Sequence, residues 1–364
     1  GLGRQDPLAR VCLRAVLPPQ AASPTVLSTE SRPTRWRTPL RDDKPSMTTL
    51  KLSSIDLRHD HVLMTHELLA AGYDARDITR MVHRGELHRL RHGAYTFGGL
   101  WKELDPTERR KLVARATLRC ARSQAVLAGP SAADVFGAPT LNAGHEVPLA
   151  RVDHRASRRK TGKAQHRSVV LAEDITVRDG VPLTSGTKTA LDMVALTDVP
   201  GALVTMNGLL HARETSPELL ARRAGAMAHD PHTADMLTVL GLADGRCESA
   251  GETLVMHLCW WHGLPRPELQ VEIRDQRGNL VARVDFAWPE FGVFLEFDGK
   301  VKYLRHRRPN ESVTDAVLRE KRREELVCGI TGWRGIRVVW DDLAHEQRTL
   351  ARIDATLRGE RWPA

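Results

Sequence analysis

The sequence lacks what several large classes of protein require. It holds only five cysteines, Cys12, Cys120, Cys247, Cys259 and Cys328, dispersed and without a CxxC pair. An odd, scattered set argues against a disulfide framework, a disulfide-linked partner or a cysteine zinc site, and for a reducing, cytoplasmic compartment. His257 and Cys259 lie close together, but no second half of a metal site accompanies them. A structural role on a helix is the reading kept for both. No run approaches the ~18 uninterrupted apolar residues of a membrane-spanning helix, so no membrane partner is expected. The eight tryptophans fall mostly in helix or strand contexts that read as core. Nothing therefore offers a stacking platform or a 2′-hydroxyl reader for an RNA-directed activity.

What is present is an ordinary globular composition with an excess of positive charge. The chain has 364 residues, 41% apolar and 27% charged, with a net charge of +9. At ~100–200 residues per domain, that length makes two or three domains. A basic balance of this size suits a polyanionic partner, most often nucleic acid.

Residues 1–46 read as a disordered leader. They hold seven of the 20 prolines and seven arginines, and the first methionine is Met47. Proline at this density sustains neither helix nor strand. An arginine-rich transit peptide is the alternative, and an extension upstream of a start at Met47 is the reading preferred.

Residues 47–100 read as a small unit. Val62–Ala71 suits a short helix stopped by Gly72. Asp74 can cap a second helix, with Asp77 completing a capping box. Ile78, Met81 and Val82 recur at helical spacing, while Arg76, Arg80 and Arg84 fall elsewhere on that helix. Gly85 ends it. Residues 87–91 and 94–97, joined by His92-Gly93, suit a hairpin whose tip carries Arg89 and Arg91. Two helices and a basic hairpin make a winged helix-turn-helix, able to set a helix in a groove and a cationic wing on phosphates. Docking to protein is the alternative use.

The stretch from 101 to 245 reads as a mostly helical middle domain. Asp105–Arg122, Pro130–Phe136 and several segments up to Leu242 look helical. Residues 146–153 and 168–177 have strand character. Residues 151–167 carry seven Lys or Arg against one Asp, which suits either a phosphate grip or a solvated loop. Thr184 or Ser185 can cap a helix through Ala190, Leu191 and Val194.

Residues 246–364 carry the sharpest pattern. Helix 248–262, strands 270–274, 280–288 and 294–298, helix 311–328, strand 335–340 and helix 343–357 follow in turn, with αβββαβ at the core. Side chains alternate along a strand, so Val293, Leu295 and Phe297 face one way and Glu296 and Asp298 the other. Antiparallel pairing would bring Asp285 beside Glu296. Glu252 lies on the helix that would pack on this sheet. Buried carboxylates demand compensation, and an oxygen-only set suits Mg²⁺.

The residues Gly72 to Val82, with Arg84-Gly85-Glu86-Leu87 and Arg89 to Tyr95, resemble the N-terminal domain of AbiEi-type antitoxins. Pro182-Leu183-Thr184-Ser185 followed by Lys188-Thr189 and Asp192 also recurs behind such domains. The resemblance implies a DNA-binding, often autoregulatory winged helix and a cognate toxin or homodimer as partner. Glu252, Val284 to Pro289 and Glu296-Phe297-Asp298-Gly299, with Lys321 to Glu324 and Gly332 to Trp340, resemble the very-short-patch-repair-like branch of the PD-(D/E)xK nucleases. That implies a restriction-endonuclease-like fold and hydrolysis of a DNA phosphodiester with Mg (or Mn). Asp285, Glu296 and Asp298 would hold the metal and Glu252 would support them. Asp298 stands where the superfamily has lysine, so Lys300 or Lys302 would supply that cation, and Arg305, Arg322 and Arg323 would contact DNA. A solvated helix face is the other reading of residues 319–323, and a turn signal that of Asp298-Gly299. The whole is thus expected to be a multidomain α+β protein: either a DNA endonuclease or nickase, or a non-catalytic antitoxin-type regulator with a degenerate nuclease fold.

Overall fold

A computed structural model describes residues 61–121, 124–141, 144, 146–151, 170–227, 232–299 and 313–360. The leader, most of the 151–167 block, and Lys300, Lys302 and Arg305 lie outside these residues. The chain divides into two units between Leu104 and Asp105.

In the first unit, β1 (Leu63–Met64) leads directly into α1 (Thr65–Ala70), followed by α2 (Ala75–His83), β2 (Leu87–Arg91), β3 (Ala94–Phe97) and α3 (Gly98–Glu103). The helix expected over 62–71 is shorter, because Leu63 and Met64 pair with Tyr95 and Ala94. The sheet runs β1-β3-β2. The capping box at α2 forms in full: Asp77 N–H donates to Asp74 Oδ1 at 2.7 Å, and Asp74 N–H to Asp77 Oδ2 at 3.1 Å. Gly85 leaves the helix at φ +73°, a conformation that suits glycine. Leu63, Leu68, Tyr73, Ile78, Met81 and Leu87 form the core.

The second unit opens with α4 (Pro106–Arg119), β4 (Ala125–Leu127), α5 (Gly129–Phe136), β5 (Leu149–Arg151), β6 (Ile175–Arg178) and β7 (Val181–Thr184). These strands make a four-stranded sheet of order β5-β4-β7-β6. The expected mostly helical middle therefore holds a mixed sheet in its first half. Strands of three or four residues are too short for alternation to announce them. Its second half is helical as expected: α6 (Gly186–Leu196), α7 (Val199–His211), α8 (Pro217–Gly225) and α9 (Thr233–Leu242). Ser185 caps α6 by accepting from Lys188 N–H.

The αβββαβ order continues the same unit. It comprises α10 (Ala250–Trp261), β8 (Glu268–Arg274), β9 (Leu280–Trp288), β10 (Val293–Asp298), α11 (Val313–Thr331) and β11 (Arg334–Val339), then α12 (Trp340–Ala344) and α13 (Glu346–Leu357). The sheet runs β11-β10-β9-β8, antiparallel from β8 to β10, with β11 parallel to β10. No break in packing falls at residue 245. Ala190, Leu203 and Val239 share one buried core with Phe286, Leu295, Phe297 and Val338.

Candidate functional site

The carboxylates sit where β9 and β10 meet. Val293, Leu295 and Phe297 enter the large core. Phe294 enters a second one with Val284, Ala287 and Val327 of α11. Glu296 alternates onto the α11 side with Phe294. The β9–β10 register runs from Val293 opposite Trp288 to Leu295 opposite Phe286. One step further stand Glu296 and Asp285, and there the Asp285 Oδ2 accepts the Phe297 N–H at 2.8 Å.

An irregularity surrounds Asp285. Ala282, Val284 and Ala287 pack on the α11 side, whereas Phe286 and Trp288 pack in the large core. The facing of β9 therefore changes phase at Asp285. Across the strand pair lies Gln270, between the registers Leu269↔Phe286 and Val271↔Val284. Its φ is +55°. A left-handed, non-glycine residue inside a strand costs about 1–3 kcal/mol and persists where its surroundings fix it. Here the surroundings include Glu252, which accepts from Gln270 Nε2 at 3.1 Å.

Glu252 reaches this point because α10 approaches the sheet closely. A Cβ on Gly251 would lie 2.0 Å from the Phe297 ring, so glycine sets the spacing. The carboxylate of Glu252 is buried, at 1% exposure. It also accepts from Glu248 N–H at 2.8 Å and Ser249 Oγ at 2.7 Å. These donors hold its buried carboxylate between α10 and β8.

Arginines hold the other acids. Arg323 of α11 ion-pairs with the buried Glu296. Arg337 of β11, in register with Glu296, stands 3.7 Å from Asp298 and 3.2 Å from Glu324. Asp298 is the half-buried last residue of β10, with Gly299 following the strand. Among the described residues, no three His, Cys, Asp or Glu side chains are grouped to hold a metal ion. As arranged, the carboxylates do not fit one: the donor chemistry is right, but guanidinium groups and hydrogen-bond donors take up its capacity. Arg322 is exposed. Arg323, expected on DNA, pairs with Glu296. Gln270, Glu324 and Arg337 were missed by the sequence reading, since pairs so distant in sequence leave no local signal.

In the first unit Arg76, Arg80, Arg84, Arg89 and Arg91 are all exposed. Arg80 pairs with Asp77, and Arg84 lies 3.9 Å from Glu86. Tyr95 and Phe97 pack inward with Leu87 beneath the hairpin. The tryptophans are less uniformly core than expected: Trp261 is 67% and Trp260 43% exposed at the end of α10, tilted against each other, with Trp260 tilted against His257 and Trp261 stacked on it. Burial lowers the pKa of His257, against the opposing charges of Glu346 and Asp198.

Of known families, the one described as "Transcriptional regulator, AbiEi antitoxin" matches residues 56–98. Two uncharacterised proteins of Mycobacterium tuberculosis, from different strains, are each 29% identical over 163 residues. The matched stretch is 45% of this chain and 56% of each relative, so the chain spans about half the length of the curated relatives it matches. No solved structure matches.

Proposed function

We propose that this chain is a DNA-binding regulator of the AbiEi antitoxin type, which holds DNA through its N-terminal unit as a winged helix. The observation that carries this reading is a hydrophobically anchored helix and hairpin whose five arginines are exposed, within the stretch matched by an AbiEi regulator family. Exposed guanidinium groups on a rigid frame suit phosphate contact, which positions a protein on DNA. The helix between them suits a groove. By the same family analogy, the remaining surfaces would serve a cognate toxin or a second copy. The test is a gel-shift assay with the full chain and DNA from upstream of its own gene. Wild type should shift it, and the Arg89→Ala/Arg91→Ala variant should need far more protein. Equal shifts by both would refute the assignment.

A second reading is favoured by one observation: Asp285 and Glu296 lie on neighbouring strands of an αβββαβ unit, where Asp285 accepts the Phe297 N–H, with Asp298 two residues on. This supports descent from a PD-(D/E)xK nuclease and an Mg²⁺- or Mn²⁺-dependent cleavage of DNA. For it to hold, Glu296 must part from Arg323. Plasmid cleavage by wild type with Mn²⁺, lost in Glu296→Ala and Asp285→Ala variants that remain folded, is the expected result. No cleavage of duplex, nicked, mismatched or single-stranded DNA would sink it.

A further inference from the structure

We propose that a cleft in the second unit, walled by His211, Arg213 and Arg246, binds a phosphomonoester of the size of a nucleoside monophosphate. The proposal is independent of both readings above, since these residues are neither the arginines of the first unit nor the carboxylates of β9 and β10.

The cleft is built where α7 ends. Its volume is about 360 Å³, at the small end of ligand sites, which run from about 300 to 1,000 Å³. One wall is the turn from α7 to α8, and the other is the segment Asp244–Arg246 that follows α9. That segment is pinned in place. Asp244 N–H donates at 2.8 Å to the side chain of Asn207, a buried residue of α7. A Cβ on Gly245 would lie 3.0 Å from Leu210 Cβ, so glycine lets the segment close on the helix. His211 joins the two walls, its Nδ1 lying 3.1 Å from the Gly245 carbonyl oxygen. A carbonyl only accepts, so Nδ1 carries the proton and Nε2 is the nitrogen left for a ligand.

The charges favour an anion. His211, Arg213 and Arg246 line the cleft against a single acid, Asp244. Arg246 takes both oxygens of Asp244, with Nε at 3.0 Å and Nη2 at 2.8 Å, and Arg266 stands 4.0 Å away. Glu214, the neighbour of Arg213, pairs with Arg178. The N-terminus of α8 is already capped, because Ser216 Oγ accepts from Leu219 N–H at 3.3 Å. The donors open to a ligand are therefore side chains and not a helix end. Among the described residues, no acid pairs with Arg213.

Arg213 carries the argument furthest. The helix α7 closes in a turn where Glu214 N–H donates to Leu209 O at 2.9 Å and Arg213 N–H to Leu210 O at 3.0 Å. The residue in the left-handed position of such a turn is usually glycine. Here it is Arg213, at φ +58°. Glycine would suit the backbone better. A residue that breaks a local rule points to a demand other than folding, and what this one adds is a guanidinium on the cleft. Its planar fork matches two oxygens of a phosphoryl group. Leu210 and Pro217 line the same cleft and offer apolar contact to the rest of the ester.

The test is calorimetric titration of the full chain with adenosine 5′-monophosphate, adenosine and inorganic phosphate. The monophosphate should bind more tightly than inorganic phosphate, and adenosine should not bind. Arg213→Gly should weaken the monophosphate about tenfold or more. Its urea midpoint should stay level or rise, because glycine suits the left-handed turn. Arg213→Lys, which keeps the charge, should fall between the two. No binding of the monophosphate, adenosine or inorganic phosphate binding as tightly as it does, or equal affinity in wild type and Arg213→Gly would each overturn the proposal. A lowered midpoint in Arg213→Gly would do so too, since the arginine would then serve the fold.

Discussion

The pair Asp174–Arg223 offers the strongest test of what holds the second unit together. Arg223 of α8 donates Nε at 2.9 Å and Nη2 at 2.8 Å to the two oxygens of Asp174, just before β6. The side chains are 10% and 3% exposed. Burial on its own would raise the Asp174 pKa. The Arg223 hydrogen bonds, the Leu171 N–H and the charges of Arg223 and Lys188 outweigh it and hold it below the ordinary value. Arg223→Met leaves that buried carboxylate without its partner, which costs about 3–5 kcal/mol. With a urea m-value of about 3 kcal/mol/M, the midpoint falls by about 1–1.7 M. The sign with pH follows from the lowered pKa. Stability from Asp174 is fully present above its unfolded pKa of about 3.9 and disappears as pH falls through the folded value. The gap between wild type and variant should therefore be wide at pH 7 and narrow on acidification. Urea unfolding followed by tryptophan fluorescence at several pH values measures it. The double variant Asp174→Asn/Arg223→Met should recover part of the loss, because it leaves no unpaired charge. A gap below about 1 kcal/mol, the range of exposed pairs, or one that widens in acid, would refute the reasoning.

Further expectations concern packing and chemistry. Gly251→Ala should cost about 1–3 kcal/mol by overpacking against Phe297, read as a lower urea midpoint; an unchanged midpoint would mean that α10 is not seated as described. Burial pushes the thiols of Cys247 and Cys259 up to about 12. In the native chain at pH 8 they should resist a thiol reagent that labels them after unfolding, and rapid native labelling, located by mass spectrometry, would contradict their burial.

Much of the second unit was legible because its signals are local. Strands 280–288 and 294–298 declare themselves by apolar content and flanking turns, and alternation places Glu296 opposite the core-facing Leu295 and Phe297. The capping box of Asp74 and Asp77 and the His92-Gly93 turn are likewise short-range. What was illegible is long-range or irregular. No spacing rule joins Arg323 to Glu296 or Arg337 to Asp298. The phase change at Asp285 breaks the alternation used to read β9, and the left-handed Gln270 carries no glycine to announce it. Local sequence gives the two residues of β1 as helix, because the strand they pair with lies some thirty residues on. Hydrophobicity alone assigns Trp260 and Trp261 to the core, because it does not tell which side of a helix end meets water.

A grip on DNA through the exposed arginines of the N-terminal unit is electrostatic, and salt dependence measures it. Each phosphate neutralised adds about −0.9 to the slope of log K against log salt. If the five arginines all engage phosphates, wild type gives a contribution of about −4.5 from them, and doubling the salt weakens binding about 20-fold. Fluorescence anisotropy with labelled duplex DNA, for wild type and Arg89→Ala/Arg91→Ala across a salt series, gives both slopes. A slope shallower by about 1.8 in the variant is predicted. Identical slopes and affinities would show that the hairpin does not touch the backbone, and would contradict the account.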